Sequence, residues 1–477
     1  MTFYECLGRL CKGFGNTKAF CDIYRDNAIY TYEQFFSDVK RYMGYFQNCS
    51  AYRIAIMGAG SYEWVCQVYG ALAVGKNIIP LDPYQNLTNL TAMLRYSEAE
   101  MILHDEPDAE FEKVFSKELH LCYRGYIKEQ ELPQNQPLLP ENGTMMFFTS
   151  GTNSKVKGTV IDLERFWNSL EPGIPIWNEG ITFGPGINGE QIKIYIPIPM
   201  QAIYGSCMCL LYLMQGSCIY FGNARKFVTE LIDIDPHIMV GVSTMIQILL
   251  QVKKPQNLNM VMSSGGPCKE ELYQAALEKG FEIRNIYGAS ELGGLAFNKC
   301  GKAISHLTPL TGNEIRIDEK NVIWIRSANR MLGYYNMPEE TAALYDGEWF
   351  TLDDLGSWNE DKTFRIEGRS KHMIAMENGA KLYLEEIEDR LEKIPEVKEA
   401  GILYLNQKII AVLVVDSDSQ AEVVQNGIRE YNRDQEFQYK IAESWIRKEP
   451  LPRLELNKIA RKMLEEQYLD KNERKIP

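Results

Sequence analysis

From Tyr52 to about Ile286 the chain alternates short apolar runs with stretches of helical periodicity, and that alternation points to layered α/β architecture. YRIAIMGAG (52–60) reads as a buried strand running into a Gly-rich loop, and the following SYEWVCQVYGALAVG has helical spacing that ends at Gly75. KIYIPIPM (193–200), NMVMSSGGP (259–267) and FEIRNIYGAS (281–290) are further apolar runs with polar or glycine residues at their C-terminal ends. Open α/β sheets bind ligands at that edge, so function is expected there. The longest apolar run, around Gly205 to Phe221, is broken by Ser206, Gln215 and Gly216 and reads as a buried segment rather than a membrane span.

Between about Asn313 and Ile366 the pattern changes to short strands with turns: NEIRIDEKNVIWIRS, EWFTLDDLGSW and KTFRIEG, which together suggest a small β unit. It changes again after Gly368-Arg369. YLEEIEDRLEKI (383–394) reads as a helix, AGILYLNQKIIAVLVVD (400–416) as a hairpin turning at Asn406-Gln407, and AEVVQNGIREYNRDQEF as another helix. A separate small α+β domain is therefore expected, with its boundary near Arg369 to Lys371. At 477 residues the chain has room for about three units of domain size.

With 64 acidic and 51 basic residues the formal net charge is -13, which argues against a nucleic-acid-binding surface and against electrostatic docking on anionic membrane. It leaves room for a local basic pocket around a nucleotide. Eleven cysteines raise the question of disulfides or metal. Cys6, Cys11, Cys21, Cys49, Cys66 and Cys122 are scattered, however, and Cys207-Met-Cys209 is not a zinc spacing. The count is odd and MTFYECLGRL is no signal segment, so reduced thiols in a cytoplasmic protein are expected.

Four segments carry candidate chemistry. TSGTNSKVKG (149–158) follows the apolar MMFF and gathers hydroxyls, glycines and two lysines. Such a loop can wrap a polyphosphate, with backbone N–H groups and hydroxyls donating and Lys supplying charge, or it can be a solvated turn; it lacks the GxxxxGK[ST] pattern. Tyr287-Gly-Ala-Ser-Glu291 puts an aromatic, a glycine and a carboxylate after a strand. Asp353-Asp354 offers a carboxylate for a ribose diol or forms a solvated turn. LPRLELNKIAR (451–461) carries a lysine that can reach a cleft or simply cover a basic surface loop.

Together and in this order, the segments resemble those of the adenylate-forming (AMP-binding) superfamily of acyl-CoA synthetases, carrier-loading adenylation domains and firefly-type luciferases. TSGTNSKVKG matches [ST]SGTTGxPKG, YGASE matches YGxTE, and WFTLDDLG (349–356) matches WFxTGDLG. GRSKHMIAMENGAKLYLEEIE (368–388) fits GRxKDxIVLSNGxNIxPxEIE without gaps, and LPRLELNKIARK fits LPRTxxGKIxR. GYYNMPEET (333–341) is a weaker match to GYxNxPExT. The matches run from about residue 50 to 462.

The resemblance implies an α/β fold: a large N-terminal domain (1–369) of layered α/β subdomains plus a small β-barrel unit, then a smaller mobile C-terminal α+β domain (370–477) that acts as a lid. It implies ATP-dependent activation of a small-molecule carboxylic acid to an acyl-adenylate, with ATP, Mg²⁺ and CoA or a phosphopantetheine carrier protein as partners. Thr149, Ser150, Gly151, Thr152, Lys157 and Gly158 would hold the β- and γ-phosphates, with Ser150, Thr152 and Lys157 in contact and Thr152 counted among the catalytic residues. Glu291 would be catalytic through Mg²⁺ ligation. Tyr287 would pack on adenine, with Gly288 and Ser290 beside it in the nucleotide site and Gly265-Gly266-Pro267 as the opposite wall. Asp354 would take the ribose hydroxyls with support from Arg369, and Lys458 would bridge the substrate carboxylate and the α-phosphate. The small domain would rotate about a hinge near Lys371 to admit the thiol.

The chain departs from the family pattern at Val156 for Pro, Asp353 for Gly, His372 for Asp, Asn457 for Gly and Ala202 for His, none of which removes a charged catalytic group. No FDxS-type aspartate for an α-amino group is found. Apolar residues in Met200–Cys209 and in GVSTMIQILL (241–250) either line the acid pocket or pack in the core, and favour a fatty or aromatic acid. A CoA ligase is expected, as monomer or homodimer, with no nucleic acid and no transmembrane segment. A stand-alone enzyme loading a carrier protein, a degenerate nucleotide-binding module and a luciferase-like oxygenation are the alternatives.

Overall fold

A computed structural model describes residues 2–473 except 86, 105–112, 114–121, 134–136, 151–155, 172–173, 175–190, 267, 370–372, 376–380, 407, 434, 436–439 and 454–458. Two compact units emerge. One is made of Met1–Thr149, Val156–Glu314 and Arg326–Tyr345, the other chiefly of Ile315–Ile325 and Asp346–Pro477.

The first unit is mixed α/β. One of its sheets orders seven strands as Gly333–Tyr334, Val156–Asp162, Thr144–Ser150, Asn77–Leu81, Arg53–Met57, Met101–His104 and Cys122–Gly125. From Thr144–Ser150 to Cys122–Gly125 the pairings are parallel. Ile54, Ala55 and Ile56 have no exposed surface, so after Arg53 the strand Arg53–Met57 is continuously apolar, as a strand covered on both faces must be. The helix Tyr62–Leu72 starts where the Ser61 side chain accepts the Trp64 N–H, and all of its residues except Glu63 are buried.

The second sheet of this unit runs Leu307–Pro309, Gly293–Asn298, Glu282–Ala289, Met260–Ser263, Ile238–Gly241, Lys193–Ile196, Cys218–Phe221, Lys18–Asp22 and Ala28–Thr31. Its centre, from Glu282–Ala289 to Lys18–Asp22, is parallel. The long apolar run after Gly205 resolves into the end of the helix Ile203–Leu213 and the strand Cys218–Phe221, turned by Gly216 at φ 75°. Among the described residues no helix is long and apolar enough to cross a membrane. Ahead of Tyr52 lie two helices, Phe3–Phe14 and Tyr32–Gln47, each opened by a reciprocal cap, Thr2 with Glu5 and Thr31 with Gln34.

In the second unit, Trp349–Trp358 pairs antiparallel with Val322–Ser327 and with Phe364–Arg369, giving the expected β ladder. The C-terminal elements form a three-stranded sheet. Glu399–Leu405 and Lys408–Val414 make the hairpin expected at Asn406-Gln407: Leu405 faces Lys408 and Asn406 adopts φ 51°, while Gln407 lies outside the described residues. Ile441–Arg447 then joins in parallel. Ile409, Ala411 and Leu413 pack on one side with Leu384, Ile387, Leu391, Val424 and Ile428. Ile410, Val412 and Val414 pack on the other with Leu451, Leu464 and Tyr468. Strand alternation alone distributes them, so KIIAVLV is apolar at both parities because helices cover both faces.

Arg461 fastens the last helix, Arg461–Glu473, into this core. Its guanidinium donates to both Glu388 carboxylate oxygens, at 2.5 and 2.9 Å, to Glu385 at 3.3 Å and to the Ile402 carbonyl at 3.0 Å. Burial pushes the Glu388 carboxyl up from its ordinary range, with Arg461 opposing the shift. Removing one member of a buried, multiply bonded pair strands the other charge. Arg461→Met is therefore expected to destabilise this unit by about 3–5 kcal/mol in urea denaturation.

Candidate active site

In the first unit the candidate segments sit at strand ends. The strand Thr144–Ser150 carries Thr149 and Ser150 as its last residues, whereas Gly151 and Thr152 lie outside the described residues. The chain resumes in Val156–Asp162 with Lys157 and Gly158. A Cβ at Gly158 would lie 2.7 Å from the Met146 sulfur and 2.9 Å from the Tyr96 ring, so this glycine has a packing reason of its own.

On the neighbouring sheet, Met260–Ser263 runs parallel to Glu282–Ala289, so Gly265-Gly266 and Tyr287 leave the same edge. Gly265 has φ 86°, the Ser264 hydroxyl donates to the Ile286 carbonyl at 3.0 Å, and Pro267 lies outside the described residues. Tyr287, Gly288 and Ser290 are half-buried. Gly288 sits in the hairpin with Gly293–Asn298, where a Cβ would meet the Gly293 carbonyl oxygen at 2.3 Å; the close approach requires glycine there.

Glu291 follows directly and is 9% exposed. Its Oε1 accepts a 2.6 Å hydrogen bond from the Tyr334 hydroxyl, and among the described residues no ion pair includes it. Tyr334 also lies under Lys157, whose Nζ is 4.8 Å from the ring centroid. Two residues from separate candidate segments, Lys157 and Glu291, thus meet on one tyrosine. The sequence reading gave Tyr334 no role: it lies 43 residues from Glu291, inside GYYNMPEET, and only strand pairing reveals the contact.

In the second unit Asp354 is 3% exposed and faces Arg369 across the β ladder, accepting from its Nε at 2.9 Å. Asp353 has φ 61°, in the left-handed region, and its N–H donates to the Thr351 hydroxyl at 3.0 Å. The position where the family pattern has glycine therefore keeps a glycine-like backbone, tolerated because Asp enters that region at lower cost than most residues.

Lys458 lies outside the described residues, but the flanks of its loop are described. Arg453 bridges to Ile459, its guanidinium reaches Glu399 at 2.5 Å, and the Ala460 N–H donates to the Pro452 carbonyl at 2.7 Å. The hinge residues 370–372 lie outside the described residues as well.

A family model described as AMP-binding enzyme matches residues 9–335. The chain belongs to that family of AMP-binding enzymes. It is 23% identical over 454 residues to the long-chain-fatty-acid–CoA ligase FadD13 of Mycobacterium tuberculosis, covering 87% of this chain and 88% of that protein. It is 26% identical over 449 residues to the 2-succinylbenzoate–CoA ligase of Bacillus velezensis, covering 87% of each. Its fold matches that of O-succinylbenzoate coenzyme A synthetase (MenE) from Bacillus subtilis in complex with ATP and magnesium ion, with a TM-score of 0.82, 21% identity and coverage of 96% of this chain and 99% of the other.

The backbone at Asp353 yields a direct check. Asp353→Gly should leave stability within about 1 kcal/mol of the wild type. Asp353→Val, a β-branched residue in the left-handed region, should lower it by about 2 kcal/mol in the same urea titration.

Proposed function

We propose that this chain is an AMP-forming acid–thiol ligase that activates a fatty or aromatic carboxylic acid and passes it to CoA. The observation that carries the reading is the meeting of Lys157 and Glu291 on Tyr334 within a member of the AMP-binding family. A cation for phosphate and a nearly buried carboxylate for a hard metal are placed beside each other, as a metal–polyphosphate ligand requires.

In the first step a carboxylate oxygen of the acid attacks the α-phosphorus of ATP, the bond to the bridging oxygen breaks, and pyrophosphate leaves. In the second the thiol sulfur of CoA attacks the acyl carbon, AMP leaves with the electrons of the C–O bond, and the thiol proton passes to base. The protein's contribution is positioning and charge stabilisation. Ser150, Thr152 and Lys157, within the 149–158 segment, hold the terminal phosphates, and Tyr287 with Gly265-Gly266-Pro267 encloses the adenine. Asp354, steadied by Arg369, accepts hydrogen bonds from the ribose hydroxyls. Among the described residues no group of three or more His, Cys, Asp or Glu gathers as a metal site. The arrangement at Glu291 suits Mg²⁺ brought in on the phosphates, which Glu291 would hold and which would neutralise their charge. Lys458 bridges the substrate carboxylate and the α-phosphate.

The division into a large domain 1–369 and a lid 370–477 belongs to this proposal. The two hydrophobic clusters on either side of the C-terminal sheet support it, since they give that region a core of its own. A reducing, cytoplasmic setting agrees with free thiols at Cys6, Cys21, Cys66, Cys207, Cys209 and Cys218, and with burial that pushes thiols such as Cys218 up to about 12. The two ligases named above, for long-chain fatty acids and 2-succinylbenzoate, support the acid class.

The test is a panel of carboxylic acids assayed for ATP–pyrophosphate exchange and then for CoA thioester formation; absence of acid-dependent exchange across the panel would overturn the reading. Lys458→Ala should lower exchange by about 10² to 10³ with an unchanged thermal melt. Unaltered exchange would remove Lys458 from the chemistry. Asp354→Ala should raise the KM for ATP while leaving that for the acid near its wild-type value.

A further inference from the structure

Tyr334 belongs to no segment assigned a role above, yet it touches two groups that the proposed reaction needs. Its position follows from strand pairing. Gly333–Tyr334 pairs antiparallel with Val156–Asp162, placing Tyr334 opposite Thr159 and Gly333 opposite Val160. The Leu332 N–H donates to Val160 and the Tyr335 N–H to Gly158, both at 2.8 Å, which continues the ladder on either side. Residues two apart on a strand share a face, so Lys157 is the diagonal neighbour of Tyr334 and its ammonium comes over the ring. The Tyr334 N–H donates to the Thr341 hydroxyl at 2.9 Å, and that hydroxyl donates to the Met337 carbonyl at 2.8 Å, tying the residue to the short helix Pro338–Ala342. At 9% exposed, the phenol is fixed at ring, backbone and hydroxyl.

Glu291 has one oxygen occupied by that hydroxyl, and its Oε2 accepts no hydrogen bond among the described residues. The carboxylate is thereby oriented with one oxygen committed to the protein and the other available. No ion pair joins Lys157 to Glu291 among the described residues, so the ammonium lies on the ring face while the carboxylate takes the hydroxyl.

We propose that Tyr334 is a positioning residue for the metal–nucleotide site: its hydroxyl aims the Glu291 carboxylate at Mg²⁺, and its ring holds the Lys157 ammonium for the polyphosphate. This rests on the function proposed above, and the two halves of the claim separate by substitution. Tyr334→Phe keeps the ring and loses the hydroxyl; Tyr334→Leu loses both.

ATP binding to the full chain is measured by isothermal titration calorimetry at a series of Mg²⁺ concentrations, with the thermal melt of each variant recorded alongside. Tyr334→Phe should raise the Mg²⁺ concentration that half-supports ATP binding by about tenfold, the scale set by losing an outer partner of a metal ligand. At saturating Mg²⁺ its ATP affinity should match the wild type. Tyr334→Leu should show the same Mg²⁺ shift and, at saturating Mg²⁺, a further loss of about threefold in ATP affinity from the missing cation–π contact. A merely structural role predicts a lowered melt with the Mg²⁺ midpoint unmoved, and that result overturns the proposal. Wild-type ATP binding with an unshifted midpoint in Tyr334→Phe overturns this inference alone; failure of the wild-type chain to bind ATP with Mg²⁺ overturns the functional reading as well.

Discussion

Strands covered on both faces have no place for polar side chains along their length. Arg53–Met57, Met260–Ser263 and Ile238–Gly241 are buried through most of their residues, so the hydroxyls, glycines and charges associated with them are displaced to their ends. Because the central strands of each sheet in the first unit run parallel, several of those ends fall on a common edge. The location of the candidate site is thus a by-product of core formation: the segments around Gly265 and Tyr287 emerge together because the strands that precede them are hydrogen-bonded side by side.

Most of this architecture was legible in the residues because the signals were local. The interruptions at Ser206, Gln215 and Gly216 mark a buried segment in the sequence; its division into a helix and a strand is found in the structure, where Gly216 takes the positive φ that the reversal demands. The hairpin at Asn406 was legible for the same kind of reason, a turn residue tolerant of the left-handed region between two apolar runs. The association of Tyr334 with Lys157 and Glu291 was not legible. It depends on a two-residue strand pairing with a partner about 175 positions earlier in the chain, and no periodicity within a window can encode such a pairing.

Two glycines have packing reasons that stand beside the ligand contact implied by the family likeness. Gly158 and Gly288 fall in segments whose likeness to a nucleotide-binding family suggested contact with ATP. Each is already demanded by its surroundings, Gly158 by Met146 and Tyr96 and Gly288 by the Gly293 carbonyl. Asp353 is the converse case: the side chain departs from the family pattern while the backbone conformation that favours glycine is retained. At the two glycines packing already constrains the residue, and a nucleotide contact would be an additional use of the same position.

The lysine resting on Tyr334 has a thermodynamic consequence. A free lysine side chain surrenders roughly 1.5–2 kcal/mol of rotamer entropy when it is immobilised, and a flexible lysine would lose it at the moment of anion capture. With the ammonium already stationed 4.8 Å from the ring centroid, part of that ordering is completed when the chain folds. An incoming polyphosphate then meets a cation whose search has been narrowed in advance, so more of their attraction appears as affinity.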